Sequence, residues 1–163
     1  MIMSAGLAAR DVLLQALVQF VDSAKSVRGV TRIAVIGSLT TSKPDPKDAD
    51  VLVTVEGDAD IAKLAALGRR LKGEAQRYNL GADIFLASAQ GIYIGRTCSY
   101  RECRPRSACR GTQCGPGNRI CNDFYEVRLP ERLVAEPPLE LWPRATIRVA
   151  LPEDVMRVLL ERT

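Results

Sequence analysis

The chain has 163 residues, 47% of them hydrophobic, enough to bury a core as one domain or one domain with an appendage, so wholesale disorder is excluded. No apolar run is long enough to span a bilayer, and MIMSAGLAARDVLLQ has neither a basic leader nor a clean apolar segment, so a cytoplasmic protein that avoids membranes is expected. The net charge of +4 is modest, and histidine is absent; this removes histidine-based triads, histidine general bases and mixed Cys/His metal sites, leaving acid–base work to carboxylates, lysine, tyrosine or cysteine.

In chain order, Leu7, Asp11, Leu14, Leu17, Val18 and Val21 fall near helical spacing and predict an amphipathic helix over roughly residues 6–26, ended by Gly29. TRIAVIG predicts a buried strand from Thr31 to Ile36, broken by Gly37-Ser38. Lys43-Pro44-Asp45-Pro46 can only be loop. ADVLVTV predicts a second strand, Ala49 to Val55. Asp58 is the predicted N-cap of a second helix, whose inner face is Ile61, Leu64, Ala65, Leu71, Ala75 and Tyr78 and which Gly81 closes. ADIFLA predicts a third strand.

Beyond residue 92 the periodicity fails, which suggests a core over 1–92 and a distinct Cys/Arg-rich segment over 93–163. FYEVRL reads as a further strand, EPPLELWPR as an irregular connector, and Pro152 as the opening of a short final helix through Leu160. All twelve basic residues after residue 91 are arginine, and six of them lie between Arg96 and Arg119 against the single Glu102. A guanidinium fork pairs bidentately with phosphate, so this patch suits a phosphate-bearing partner, or else it is a solvated loop surface.

The chemistry concentrates in GSLTTSKPDPKDADVLV, Gly37 to Val53. Strand side chains alternate between faces, so Asp48 and Asp50 point the same way, about 7 Å apart. Two carboxylates this close repel unless a positive charge lies between them, and a divalent cation with a preference for hard oxygen is the usual solution. Asp83 stands at the start of the third strand, and if that strand neighbours the second its carboxylate joins the same site. Gly37-Ser38 offers a turn through which backbone N–H groups and a hydroxyl approach a phosphate.

At these residues the sequence resembles the nucleotidyltransferase superfamily of DNA polymerase β type, most closely its minimal, single-domain bacterial members, over roughly residues 5–88. The resemblance implies an α+β fold, a small mixed β-sheet flanked by helices. It implies that Gly37 and Ser38 bind a nucleoside triphosphate (NTP), that Asp48 and Asp50 hold two magnesium ions, and that Asp83 completes the metal site that activates the attacking hydroxyl. The reaction implied is in-line displacement at the α-phosphorus with pyrophosphate leaving, the acceptor hydroxyl belonging to a protein, a nucleic acid or a small molecule. Thr41 and Ser42 stand where the minimal family often carries Arg-Gly, and Lys47 where a serine commonly precedes the first aspartate; Lys43 and Lys47 are the candidate replacements for the missing phosphate contact. Short members often act with a partner that supplies half of the cleft, so an oligomer or a partner protein is expected by analogy.

Cys98, Cys103, Cys109, Cys114 and Cys121 lie within twenty-four residues, and the chain has no others. Such clustering in a cytosolic chain argues for metal over disulfides. A structural zinc held by four of the five is the first choice, because the segment lacks the apolar residues to fold by burial; an iron–sulfur cluster, disulfides and inert thiols are the alternatives. GIYIGRT, Gly91 to Thr97, also resembles half of a GIY-YIG nuclease signature, with Glu126 or Glu131 as metal ligand. The first element of that signature should lie about ten residues earlier, where Gly81-Ala82-Asp83 stands instead. Three function classes follow: an active nucleotidyltransferase, an inactive relative that binds nucleotide or a partner, and a nucleic-acid-binding module built on the basic segment.

Overall fold

The computed structural model describes residues 8–98, 120–121 and 128–161. Helix α1 (Ala9–Ala24) buries Leu13, Leu14, Leu17 and Phe20 along one stripe, as the spacing predicts. Strand β1 (Val30–Ile36) follows a reversal at Gly29, whose φ of 85° belongs to the region that favours glycine. A single 3₁₀ turn (Gly37–Thr40) then leads through the proline loop into β2 (Asp48–Val55). Helix α2 (Ile61–Gln76) crosses over to β3 (Gly81–Ser88), so β2 and β3 lie parallel while every other pairing in the sheet is antiparallel. A tight connection cannot join parallel neighbours; α2 supplies the required crossover.

Several local expectations are corrected. The side chain that caps α2 is Asp60, which accepts from the Lys63 N–H at 3.1 Å, not Asp58, because the helix begins two residues later than the cap motif suggested. Gly81 does not close α2: the helix ends at Gln76, Asn79 makes the reversal at φ 62°, and Gly81 already pairs as the first residue of β3. Tyr78 therefore lies beyond the helix and is exposed. EPPLELWPR is not an irregular connector: Leu139–Trp142 within it form a strand, β6. The surroundings override the turn-forming prolines, because Leu139 is buried fully in the core beside β1 and Leu141 and Trp142 pack against it.

The remaining elements are β4 (Tyr93–Thr97), β5 (Ile120–Cys121), α3 (Glu131–Ala135), β7 (Thr146–Ile147) and α4 (Glu153–Val155), which continues into a π turn (Met156–Leu160). Pro152 stands at the N-cap of that last segment, in agreement with the expected short final helix. The sheet order is β5-β4-β3-β2-β1-β6-β7, a mixed sheet in an α+β fold, so strands from beyond residue 92 extend the sheet built by residues 30–88 on both sides. The predicted FYEVRL strand, and Cys103, Cys109 and Cys114, lie outside the described residues. No helix among the described residues is long and apolar enough to cross a membrane.

Two apolar layers sandwich the sheet. On one side α1 and α2 pack on Ala49, Val51, Val53, Ile84 and Leu86. On the other, Ala34, Ile36, Leu52, Phe85, Ala87 and Tyr93 form a smaller cluster closed by Val134 of α3. Arg32 ties α3 down: it pairs with Glu140 on β6 and donates to the carbonyls of Val134 (3.0 Å) and Ala135 (3.1 Å). Glu140 also pairs with Arg148. Burial pushes the Glu140 carboxyl up, but hydrogen bonds from the two arginines outweigh it and hold the group below its ordinary value.

The second tie is Arg10 on α1. Its Nε and Nη2 grip Asp154 of α4 at 2.8 and 3.2 Å, and its other N–H groups donate to the carbonyls of Leu39 (3.0 Å), Thr41 (3.1 Å) and Lys43 (2.9 Å). The fork geometry of a guanidinium is used in full, and a lysine ammonium cannot reproduce it. Only 11% of the Arg10 side chain is exposed, so its loss leaves a carboxylate and three carbonyls poorly satisfied. Arg10→Ala is expected to cost about 2–3 kcal/mol, a fall of roughly 5–10 °C in Tm for a chain of this size, with Arg10→Lys recovering less than half. Thermal unfolding followed by circular dichroism checks this; a shift of under 1 °C for Arg10→Ala means the clamp carries no stability.

Candidate functional site

Alternation along β2 sends Ala49, Val51, Val53 and Val55 to the α1/α2 side and leaves Asp48, Asp50 and Leu52 on the opposite side. In β3 the same rule puts Ala82, Ile84 and Leu86 on the helix side and Asp83 with Phe85 on the other. The parallel register pairs Asp50 directly with Asp83 and Asp48 with Gly81. Three carboxylates predicted from separate positions therefore share one sheet face, at the edge of its smaller apolar layer. Asp48 is exposed, and Asp50 and Asp83 are half-buried.

Two glycines make room for them. Gly37 has φ 77°, and a Cβ there would stand 2.5 Å from Asp50 Oδ2, so both backbone and space demand glycine. At Gly81 a Cβ would collide with Asp48 Oδ1, while its N–H donates to the Lys47 carbonyl at 2.8 Å. The turn after Gly37 is held from within: the Thr40 hydroxyl donates to the Gly37 carbonyl and the Thr41 hydroxyl to the Ser38 carbonyl, each at 2.7 Å. Arg10 holds it from without. The side chains of Lys43 and Lys47 are exposed on the following loop.

Burial pushes the Asp50 carboxyl up to about 7, and the charges of Asp83 and Asp48 add to the effect against an opposing pull from Arg96. Asp83 is also raised by burial, less so because Arg96 and Lys72 favour its charged form. Arg96, on β4 opposite Phe85, donates from Nη1 to Asp83 Oδ1 at 3.3 Å. The three carboxylates fan out, Asp50 toward Gly37, Asp48 toward Gly81 and Asp83 toward Arg96. Among the described residues no three acidic or cysteine side chains lie together at the spacing of a formed metal site. Hard oxygen donors, net negative charge and a carboxylate held from ionising are nonetheless the donor chemistry that a divalent cation satisfies.

Beside this face, a cavity of about 680 Å³ opens between the Gly37–Thr41 turn and α3, with Leu133, Glu136, Pro138 and Val149 among its lining. Gly37 is the shared wall: one side meets Asp50, the other the cavity. Its volume is that of a small-molecule site. Cys98 is buried just after β4, and Cys121 pairs in β5 against Arg96. Gly91 to Thr97 forms a turn and β4, with Tyr93 packed against Phe85 at a ring-centroid distance of 6.3 Å.

Arg10 and Asp154 escaped the sequence reading, which placed Arg96 only in the arginine-rich patch and not beside Asp83. Arg10 sits at a half-buried position of α1 near the helix start, and Arg96 sits among many arginines, so neither carries a local signal.

Fold and site together define an α+β protein with a mixed sheet and a three-carboxylate face. The chain belongs to a family of unknown function (DUF6932), whose model matches residues 3–103 and so takes in Arg10, Gly37, all three aspartates and Arg96. No curated protein and no solved structure matches it.

The electrostatics give a signed expectation. Folded Asp50 keeps its proton to about pH 7, whereas the unfolded chain releases it near pH 4. The folded state therefore loses stability as pH rises through that window, on the order of 2 kcal/mol between pH 5 and 8 after allowance for screening. Asp50→Asn should equal the native chain in stability near pH 4.5 and exceed it at pH 8. Urea denaturation at the two pH values checks this; parallel pH profiles for the two proteins exclude a strained Asp50.

Proposed function

We propose that the protein is a metal-dependent nucleotidyltransferase that moves a nucleoside monophosphate group from an NTP to a hydroxyl acceptor. The observation that carries the reading is the in-register pairing of Asp50 with Asp83, with Asp48 on the same face and the Gly37 turn pressed against Asp50. An apolar strand pair has no structural use for three like charges; a centre that handles cations and phosphates does. Asp48, Asp50 and Asp83 are the residues that would hold magnesium. When bound, the ions supply charge neutralisation for the phosphates and activation of the acceptor hydroxyl.

The chain's own groups divide the remaining work. The Gly37-Ser38 turn, stiffened by Thr40, Thr41 and Arg10, presents backbone N–H groups to the triphosphate without reorganising at the moment of reaction. The neighbouring cavity accommodates substrate beside the carboxylates. Asp83, the carboxylate farthest along the sheet from the turn, faces the acceptor. In the transfer the acceptor oxygen bonds to the α-phosphorus, the bond to the bridging oxygen breaks, pyrophosphate departs with that oxygen, and the acceptor proton passes to Asp83. Half-burial keeps Asp83 more basic than an exposed aspartate. The Cys-rich segment, with zinc as a structural cofactor, belongs to the same proposal and rests on its composition alone.

Incubation with α-phosphate-labelled NTPs, magnesium and a cell extract as acceptor source should label a product. Asp48→Asn and Asp50→Asn should each abolish labelling. Asp83→Ala should lower it at least ~100-fold while nucleotide binding, measured by calorimetry, changes little. Binding without any labelling would instead favour an inactive, nucleotide-binding relative. Equal loss of binding and turnover in Asp83→Ala would show that its role is misassigned.

A further inference from the structure

Arg96 pairs directly with the acidic face. It reaches across from β4 to Asp83 Oδ1 at 3.3 Å, and its charge is felt at Asp50 one strand further on. Both partners are enclosed, with side chains 23% and 29% exposed, so the pair is no screened surface contact of negligible consequence. Geometry fixes the reach: Arg96 lies opposite Phe85 in the antiparallel β3–β4 register, two residues along from Asp83 on the same face.

A guanidinium and a divalent cation compete for the same oxygens. Once an ion takes Asp83, Arg96 loses its carboxylate and is repelled by the new charge. A triphosphate brings replacement acceptors, and bidentate guanidinium–phosphate pairing is among the stronger charge-assisted contacts. We propose that Arg96 is the resident counter-ion of the site: it occupies Asp83 in the metal-free protein, yields that carboxylate to the divalent cation, and is thereby handed to the polyphosphate of the incoming nucleotide. This rests on the function proposed above and adds to it an order of events. Cation loading releases Arg96 from Asp83, so metal and nucleotide bind with positive coupling.

The test uses two binding measurements and no turnover. Manganese affinity of the metal-free full-length chain is read by electron paramagnetic resonance. ATP and GTP affinities at saturating calcium are read by calorimetry. Arg96→Gln should bind manganese about tenfold tighter than the native protein and the triphosphates about tenfold weaker; Arg96→Lys, which keeps the charge and loses the fork, should fall between. A residue that merely supports the fold would weaken both. Manganese affinity unchanged or reduced in Arg96→Gln, with Arg96→Lys behaving as native, overturns the exchange while leaving the acidic site standing. If neither the native chain nor Arg96→Gln binds manganese, the cation-holding reading of the three carboxylates fails, and the role of Arg96 falls with it.

Discussion

The parallel, in-register pairing of β2 with β3 is the constraint on which the rest of this structure turns. It sets Asp50 beside Asp83, so that two carboxylates share a sheet whose other residues at this depth are Val, Leu, Ile and Phe. Moving either strand by one residue would send its carboxylate into the apolar layer beneath α1 and α2. The register that buries the apolar set on the helix side is thus the same register that forces the acidic set together. Core packing on one face and charge crowding on the other are two consequences of a single alignment.

The surroundings answer that crowding with cations placed by distant segments. Arg96 comes from β4, on the far side of β3, and partly neutralises Asp83. Arg10 comes from α1 and spends its entire donor set on the Gly37–Lys43 backbone and on Asp154. Its partner Asp154 is held below its ordinary value chiefly by that hydrogen bond, the opposite behaviour to Asp50. Asp154, met by a guanidinium fork, is held ionised, whereas Asp50, left among apolar groups and other carboxylates, is pushed the other way. That contrast separates the site from the scaffold more sharply than residue type does, in keeping with the tendency of perturbed carboxylates to mark functional positions.

Arg10 also links the two ends of the chain. The last helical segment, from Glu153, docks on α1 through Asp154, and the same guanidinium sets the backbone of the turn beside Asp50. On the other edge Arg32, Glu140 and Arg148 join β1, β6 and the end of α3. The cavity between the turn and α3 exists because these two arginine-centred networks fix its opposite walls. Residues beyond 128 are therefore part of the floor on which the candidate site is built.

Much of the first half was legible from local pattern. Helical spacing located α1 and α2, short β-branched and apolar runs located β1, β2 and β3, and the D-x-D spacing alone required Asp48 and Asp50 to share a face, because these properties depend on neighbours within a few residues. The sequence by itself also named Asp83 and the Gly37-Ser38 break as candidates. It did not determine that β3 lies parallel and in register with β2, that Leu139–Trp142 extends the sheet despite the flanking prolines, or that Arg10 and Arg96, two of many arginines, are the ones aimed at the site. Those outcomes depend on contacts between residues tens of positions apart. Only the packed tertiary structure decides them, because burial and charge pairing across such separations leave no periodic trace in the chain.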